Sequence, residues 1–95
     1  MLRPYGSIML KTRFVILSQD DCPRCERLKM MLAQPLRGRY QGDLTVIHRQ
    51  TQPELFKTLA EIYSVSSTPV IIHQASGKVL SAVESLLSVR TFLHS

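Results

Sequence analysis

The stretch "FVILSQDDCPRC", residues 14–25, decides how this chain folds. The apolar, β-branched run "RFVIL" at 13–17 breaks off at the polar "SQDD", the pattern of a short buried strand. A helix is expected to begin at Asp21 or Cys22. Asp21 is a suitable N-cap, and Pro23 fits a first helical turn, where a missing N–H forfeits no partner. Cys25, Leu28 and Leu32 then recur at spacings of three and four, which places them on one apolar stripe. Pro35 is expected to end the helix, leaving "PLRGRYQGD" as a loop. A strand, a sharp polar turn and a helix that opens on two cysteines are thus legible in twenty residues.

Further along, "LTVIH" (44–48) reads as a second strand. In "TQPELFKTLAEIYSV", Thr51 and Glu54 suggest a capping box, with Pro53 in the first turn. Leu55, Leu59 and Ile62 mark the buried face of that helix. "VIIH" (70–73) is a third strand, "QASGK" a hairpin turn with Gly77 at the position that needs positive φ, and "VLSAV" (79–83) a fourth strand. "ESLLSVRTFL" (84–93) closes the chain as a helix, with Leu86, Leu87, Val89, Phe92 and Leu93 expected to face inward. The order is β-α-β-α-β-β-α. The helical crossover makes the first two strands parallel, and the hairpin makes the last two antiparallel. A mixed four-stranded sheet flanked by helices on both faces follows. Leu28, Leu55, Leu59 and Ile72 read as core, Met30 and Met31 as helix packing, and Tyr63 as packing under the loop before Pro69.

With 95 residues the chain is the size of one small domain, and an apolar fraction of 44% suits a globular core. Residues 1–12 read as an N-terminal tail, with Met9 an alternative start, and 13–95 as the folded domain. No stretch approaches the ~20 apolar residues that a bilayer span requires, and the start lacks the h-region and cleavage site of a signal peptide. A cytoplasmic location is therefore expected, with no membrane partner. The net charge of +5 is concentrated near the cysteines in Arg24, Arg27, Lys29, Arg37 and Arg39. It favours acidic partners by steering. Nucleic acid is not an expected partner: there is no Trp and no recognition motif. Arg24 and Arg27 read as solvated.

The chain's two cysteines admit three readings. A structural zinc site needs four ligands, and His48, His73 and His94 lack knuckle-like spacing. A permanent bridge is out of place in a reducing compartment. A working redox pair fits best. Three-residue spacing at a helix start brings both sulfurs to one side of the first turn. The free N–H groups and the positive end of the macrodipole favour a thiolate on Cys22, the expected exposed nucleophile, with Cys25 one turn inward as resolving thiol. Arg24 should help that thiolate, and Asp20 and Asp21 should oppose it. Pro69, directly before an apolar strand, is either a plain strand starter or the second residue of a cis Thr68–Pro69 bond that bares a backbone edge beside the thiols.

On "FVILSQDDCPRC", "TP" at 68–69 and the "SGK" hairpin, residues 13–93 resemble the thioredoxin/glutaredoxin superfamily. "YQGDLTV" and "YSVSSTPVII" are similar to thioredoxin patterns in particular. The resemblance implies a compact thioredoxin fold and a thiol–disulfide oxidoreductase. It makes Cys22 and Cys25 catalytic, Pro69 cis, and Thr68 the position whose backbone pairs with substrate, with Pro23 and Arg24 as the spacer that substrate meets. The sequence departs from the family at several places. Asp21 stands where thioredoxins carry Trp, and Ile16 where they carry a buried acid. The chain leaves no room for their extra N-terminal strand and helix, and the short architecture is glutaredoxin-like. Gln19 stands where glutaredoxins carry Lys, and Glu84 and Ser85 are the residues available to mimic their acidic glutathione-binding element. The implied partners are disulfide-containing proteins and an electron source, either a reductase or glutathione. No tightly bound cofactor and no metal are expected, and the expected state is a monomer. Two other classes stay open: a non-catalytic binding module of the same fold, and an iron–sulfur or metal carrier using the cysteine pair.

Overall fold

Alternation along the first strand sets the layers of the molecule. In the computed structural model, which describes residues 10–34 and 36–94, β1 (Phe14–Ser18) is apolar on both sides and buried for four of its five residues. Phe14 and Ile16 join one core cluster with Ile71, Leu28, Leu32, Val89 and Leu93. Val15 and Leu17 join the other, with Ile47, Leu59, Val70 and Ile72. Such a strand has helices on both faces, because period-two alternation sends neighbouring side chains to opposite sides.

Around it stand α1 (Pro23–Ala33), β2 (Leu44–His48), α2 (Pro53–Ile62), β3 (Val70–His73), β4 (Lys78–Leu80) and α3 (Leu86–Leu93), with one 3-10 turn at Gln41–Asp43. The sheet order is β2-β1-β3-β4. β1 runs parallel to β2 and antiparallel to β3, and β3 is antiparallel to β4. The fold is a compact α/β arrangement of three helices on a mixed four-stranded sheet, as the sequence led one to expect. α1 and α3 share one face, through Leu28, Leu32, Val89 and Leu93, and α2 covers the other, through Leu59 with Leu55, Phe56 and Ala60. Gly77 sits in the hairpin at φ 76, where a Cβ would be strained.

Several expectations need correction. The N-cap of α1 is Cys22, not Asp21. Pro35 lies outside the described residues; α1 ends at Ala33, and Leu36 and Tyr40 in the following loop are buried in the core. The Thr51–Glu54 box does not form. Gln52 is the N-cap of α2 and makes no side-chain cap bond, because Thr51 is taken up in the preceding turn, where both its N–H and that of Gln52 donate to the His48 carbonyl (3.2 and 2.8 Å). β4 stops at Leu80 rather than running to Val83. The Val83 N–H closes a tight turn onto the Ser81 carbonyl at 2.9 Å, and that turn carries Val83 into the core. α3 starts at Leu86, so Glu84 lies before it. Ser85 is its N-cap, accepting from the Ser88 N–H at 3.1 Å.

Three apolar residues expected inside are on the surface. Leu87 is 73% exposed and Met30 63%. Each lies two positions from a buried residue of its own helix (Val89; Leu28 and Leu32), about 200° round the axis. Leu86, in the opening turn of α3, is 40% exposed. Met31, Leu55, Phe92, Ile62 and Tyr63 pack partly buried against the two clusters.

The segment before β1 is fastened where it is described. The Gln74 side chain accepts from the Leu10 N–H and donates to the Leu10 carbonyl, both at 3.0 Å, and donates to the Thr12 carbonyl as well. Leu10 also packs against the α2-side cluster. Residues 1–9 of the expected tail lie outside the described residues.

Candidate functional site

The site begins where β1 ends. Asp21 takes φ 53, a left-handed conformation that Asp tolerates better than most residues. The turn it makes delivers Cys22 to the mouth of α1 in extended conformation. Pro23 follows in the first turn, where it fixes φ and removes no helical bond. The Cys22 Sγ accepts the Cys25 N–H at 3.2 Å, one of the amides a helix leaves without an internal partner. The two cysteines are joined as a disulfide with their Cα atoms 5.2 Å apart. Cys22 is half-buried, whereas Cys25 is 5% exposed. The spacing thus brings the sulfurs together with the asymmetry expected: one reachable, one withdrawn.

Thr68 and Pro69 lie against this turn. Their peptide bond is cis, and the Thr68 hydroxyl is 3.9 Å from the Cys22 Sγ. Pro69 is buried; Thr68 is half-buried. Residues 46 positions apart in sequence therefore share one surface, the surface the sequence reading assigned to substrate.

Arg24 is not the freely solvated cation expected. It reaches across to the segment after β4, where its Nε donates to the Glu84 carboxylate, its Nη2 to the Ser81 carbonyl at 3.0 Å and its Nη1 to the Thr68 carbonyl at 3.4 Å. The Glu84 carboxyl is held below its ordinary value of 4.5, first by the hydrogen bond from Arg24, then by its own backbone N–H, with the charges of Arg24 and Arg27 adding. Arg24, Glu84, Ser81 and Thr68 form a polar latch along one side of the thiols, and Ser85 follows as the cap of α3. Gln19 stands apart from that latch, its amide oxygen accepting from Arg49 Nη1 at 3.2 Å. Arg49 in turn lies 5.9 Å from the centroid of the Phe56 ring.

The other side of the thiols is open. A cavity of about 530 Å³ lies between α1 and the α1-facing side of β2, with Ser18, Cys25, Glu26, Lys29, Val46 and His48 among its walls and Pro69 at its edge. His48 is fixed there by Asp20, whose Oδ1 is 3.1 Å from His48 Nε2; the Asp20 N–H donates to the Gln50 side chain at 2.8 Å. The three histidines weighed as metal ligands are dispersed: His73 Nδ1 is 2.6 Å from the Ser76 hydroxyl, and His94 meets the edge of Tyr40. Among the described residues no cluster of three or more His, Cys, Asp and Glu groups could hold a metal ion, and no helix is long and apolar enough to cross a membrane.

Sequence reasoning missed the roles of Asp20 and His48, treating one as opposing the thiolate and the other as a metal candidate. The signal was there in the strand lengths. "FVILS" and "LTVIH" are equally long and parallel, so their ends align, Ser18 beside His48. That register sets the histidine next to the loop that carries the cysteines.

No protein-family model, no curated protein and no solved structure matches this chain.

Proposed function

We propose that the protein is a thiol–disulfide oxidoreductase of the thioredoxin/glutaredoxin type, acting on protein disulfides through Cys22 and Cys25. The observation that carries this reading is the asymmetric sulfur pair at the N-terminus of α1: Cys22 reachable and accepting a helical amide, Cys25 withdrawn behind it. In the reduced protein the same amides and the positive end of the helix favour a Cys22 thiolate. That thiolate attacks a substrate disulfide, forming a mixed disulfide and releasing one thiol. Cys25 then attacks Cys22, breaking the mixed bond, releasing the second thiol and closing the ring. Two electrons pass from the protein dithiol to the substrate.

The order β-α-β-α-β-β-α, the strand order β2-β1-β3-β4 and the cis bond before Pro69 all suit a compact thioredoxin fold. Thr68 and Pro69 offer the edge on which an extended substrate segment pairs, with Pro23 and Arg24 beside it. The protein would work as a cytoplasmic monomer that draws electrons from a reductase or from glutathione. Gln19, Glu84 and Ser85 are the residues available to contact glutathione, with Glu84 already engaged by Arg24 through Oε2.

The decisive experiment is an insulin-reduction assay run with two electron sources, thioredoxin reductase and glutathione with its own reductase. Turnover with one of them, abolished by Cys22→Ser, is expected. Turnover that persists in Cys22→Ser, or is absent with both donors, would sink the proposal.

A further inference from the structure

The buried sulfur poses a chemical problem of its own. As a free thiol Cys25 is a proton carrier, yet only its thiolate can attack the Cys22 mixed disulfide. Burial disfavours that anion, and the strand beneath offers no base: Ile16 is 3% exposed and apolar, and Val15 and Leu17 face the other way. A proton acceptor can instead approach through the cavity between α1 and β2, whose wall includes Cys25.

Three ionisable side chains line that cavity beside Cys25: Glu26 and Lys29 from α1, and His48 from β2. Lys29 is a donor only and can stabilise a thiolate but not receive its proton. Glu26 is exposed on α1 at the cavity wall, and a carboxylate in water is a weak base toward a thiol. The imidazole is the group matched to the task, since general bases are most effective when their affinity for the proton is close to the working pH. His48 is also the one that is held. Its Nε2 is 3.1 Å from Asp20 Oδ1, so in the neutral ring Nε2–H donates to the carboxylate and Nδ1 is left as the acceptor. Asp20 then faces the imidazolium that forms. The cavity has polar walls in Ser18, Gln41 and Lys29 and ample volume for bridging water.

We infer that His48, oriented by Asp20, receives the Cys25 proton through solvent in this cavity during the second half of the exchange, and so acts as a positioning residue for ring closure. The inference rests on the dithiol reading given above. In the step, the Cys25 proton leaves for water and reaches His48. The Cys25 sulfur bonds to the Cys22 sulfur, and the bond from Cys22 to the substrate sulfur breaks. The substrate leaves as a thiolate, which can take the proton back from the imidazolium.

The test separates the two halves in one trace. Reduced protein is mixed in stopped flow with a symmetrical aromatic disulfide whose thiolate is coloured. Attack by Cys22 releases one equivalent and ring closure by Cys25 a second, so Cys25→Ser should show the first phase alone. His48→Gln keeps an amide able to donate to Asp20 but cannot take a proton; His48→Ala lacks both. Both are expected to leave the first phase unchanged and to slow the second at least about tenfold, and added imidazole should restore the second phase of His48→Ala. Glu26→Gln should leave both phases as they are. An unchanged second phase in both His48 variants would overturn the inference. So would a normal second phase in His48→Gln with a slow one in His48→Ala, since the hydrogen bond and not proton acceptance would then matter, and so would slowing in Glu26→Gln alone. Absence of the first phase in the unaltered protein would instead refute the dithiol reading itself.

Discussion

The two faces of strand β2 are covered very differently. Ile47 points toward α2 and is 2% exposed, whereas its neighbour Val46 points toward α1 and is 54% exposed. Two helices share the α1 face and one helix holds the other, yet the single helix seals its side better over this edge strand. The reason lies in where the helices sit. α1 and α3 meet over β1 and β3, through Phe14, Ile16 and Ile71, and reach β2 at its first residue, Leu44, leaving Val46 exposed. α2 follows β2 directly in sequence and packs back on it and on β1, through Leu59 against Ile47, Val15 and Leu17. The uncovered strip is the floor of the cavity beside Cys25. A gap in coverage at a sheet edge thus opens a cavity alongside the withdrawn sulfur.

This contrast can be broken or sharpened by substitution. The largest effect is expected from Leu59→Ala. The side chain is 1% exposed and anchors the sealed face, so its truncation should cost about 2–5 kcal/mol in a denaturant titration. A loss below about 1 kcal/mol would mean that α2 does not close that face as described. Next, Ile47→Ala should cost about 2–4 kcal/mol while Val46→Ala, one residue away, stays within about 0.5 kcal/mol; equal losses would erase the difference between the two faces. Third, Ser85→Ala removes the cap of one of the two helices on the open face, with an expected loss of about 1 kcal/mol and no change in the reactivity of Cys22 toward an alkylating reagent.

The smallest effect concerns the latch. Glu84 has its carboxyl lowered below 4.5 in the folded protein, so its contribution is fully present above that pH and is lost as pH falls through the depressed folded value. The melting temperatures of the protein and of Glu84→Gln should differ slightly near neutrality and converge as acidity increases below pH 4. Both groups of the pair are solvent-exposed, which keeps the effect small and sensitive to salt. A gap that widened toward acid would contradict the sign of the shift.

What could be read from the sequence was local and periodic. The burial of "FVIL", the stripe of Cys25, Leu28 and Leu32, and the hairpin at Gly77 follow from rules that span a few residues, and each is found in place, whereas Arg13 ahead of that run is exposed. The sulfur pair was legible for the same reason, since its geometry is settled within one helical turn. The misreadings come from competition or distance. Thr51 has the composition of a cap, but the His48 carbonyl claims its amide for the preceding turn. Leu87 is as apolar as Leu93, and only the phase of a helix that begins at Leu86 turns it outward. Arg24 reads as a surface cation because its partners Ser81 and Glu84 are 57 and 60 residues away. The cavity could not be foreseen at all, because it is defined by what the helices fail to cover.

The fastening of Leu10 by Gln74 has a practical corollary. Gln74 continues directly from β3 at the end where His73 pairs with Phe14, while the sulfurs stand at the opposite end, beyond Ser18. The incoming chain is therefore gripped at the end of the sheet opposite the cysteines. Cargo, a fluorophore or a solid support attached ahead of this grip would enter the sheet at that far pole, leaving the surface around Cys22 uncovered.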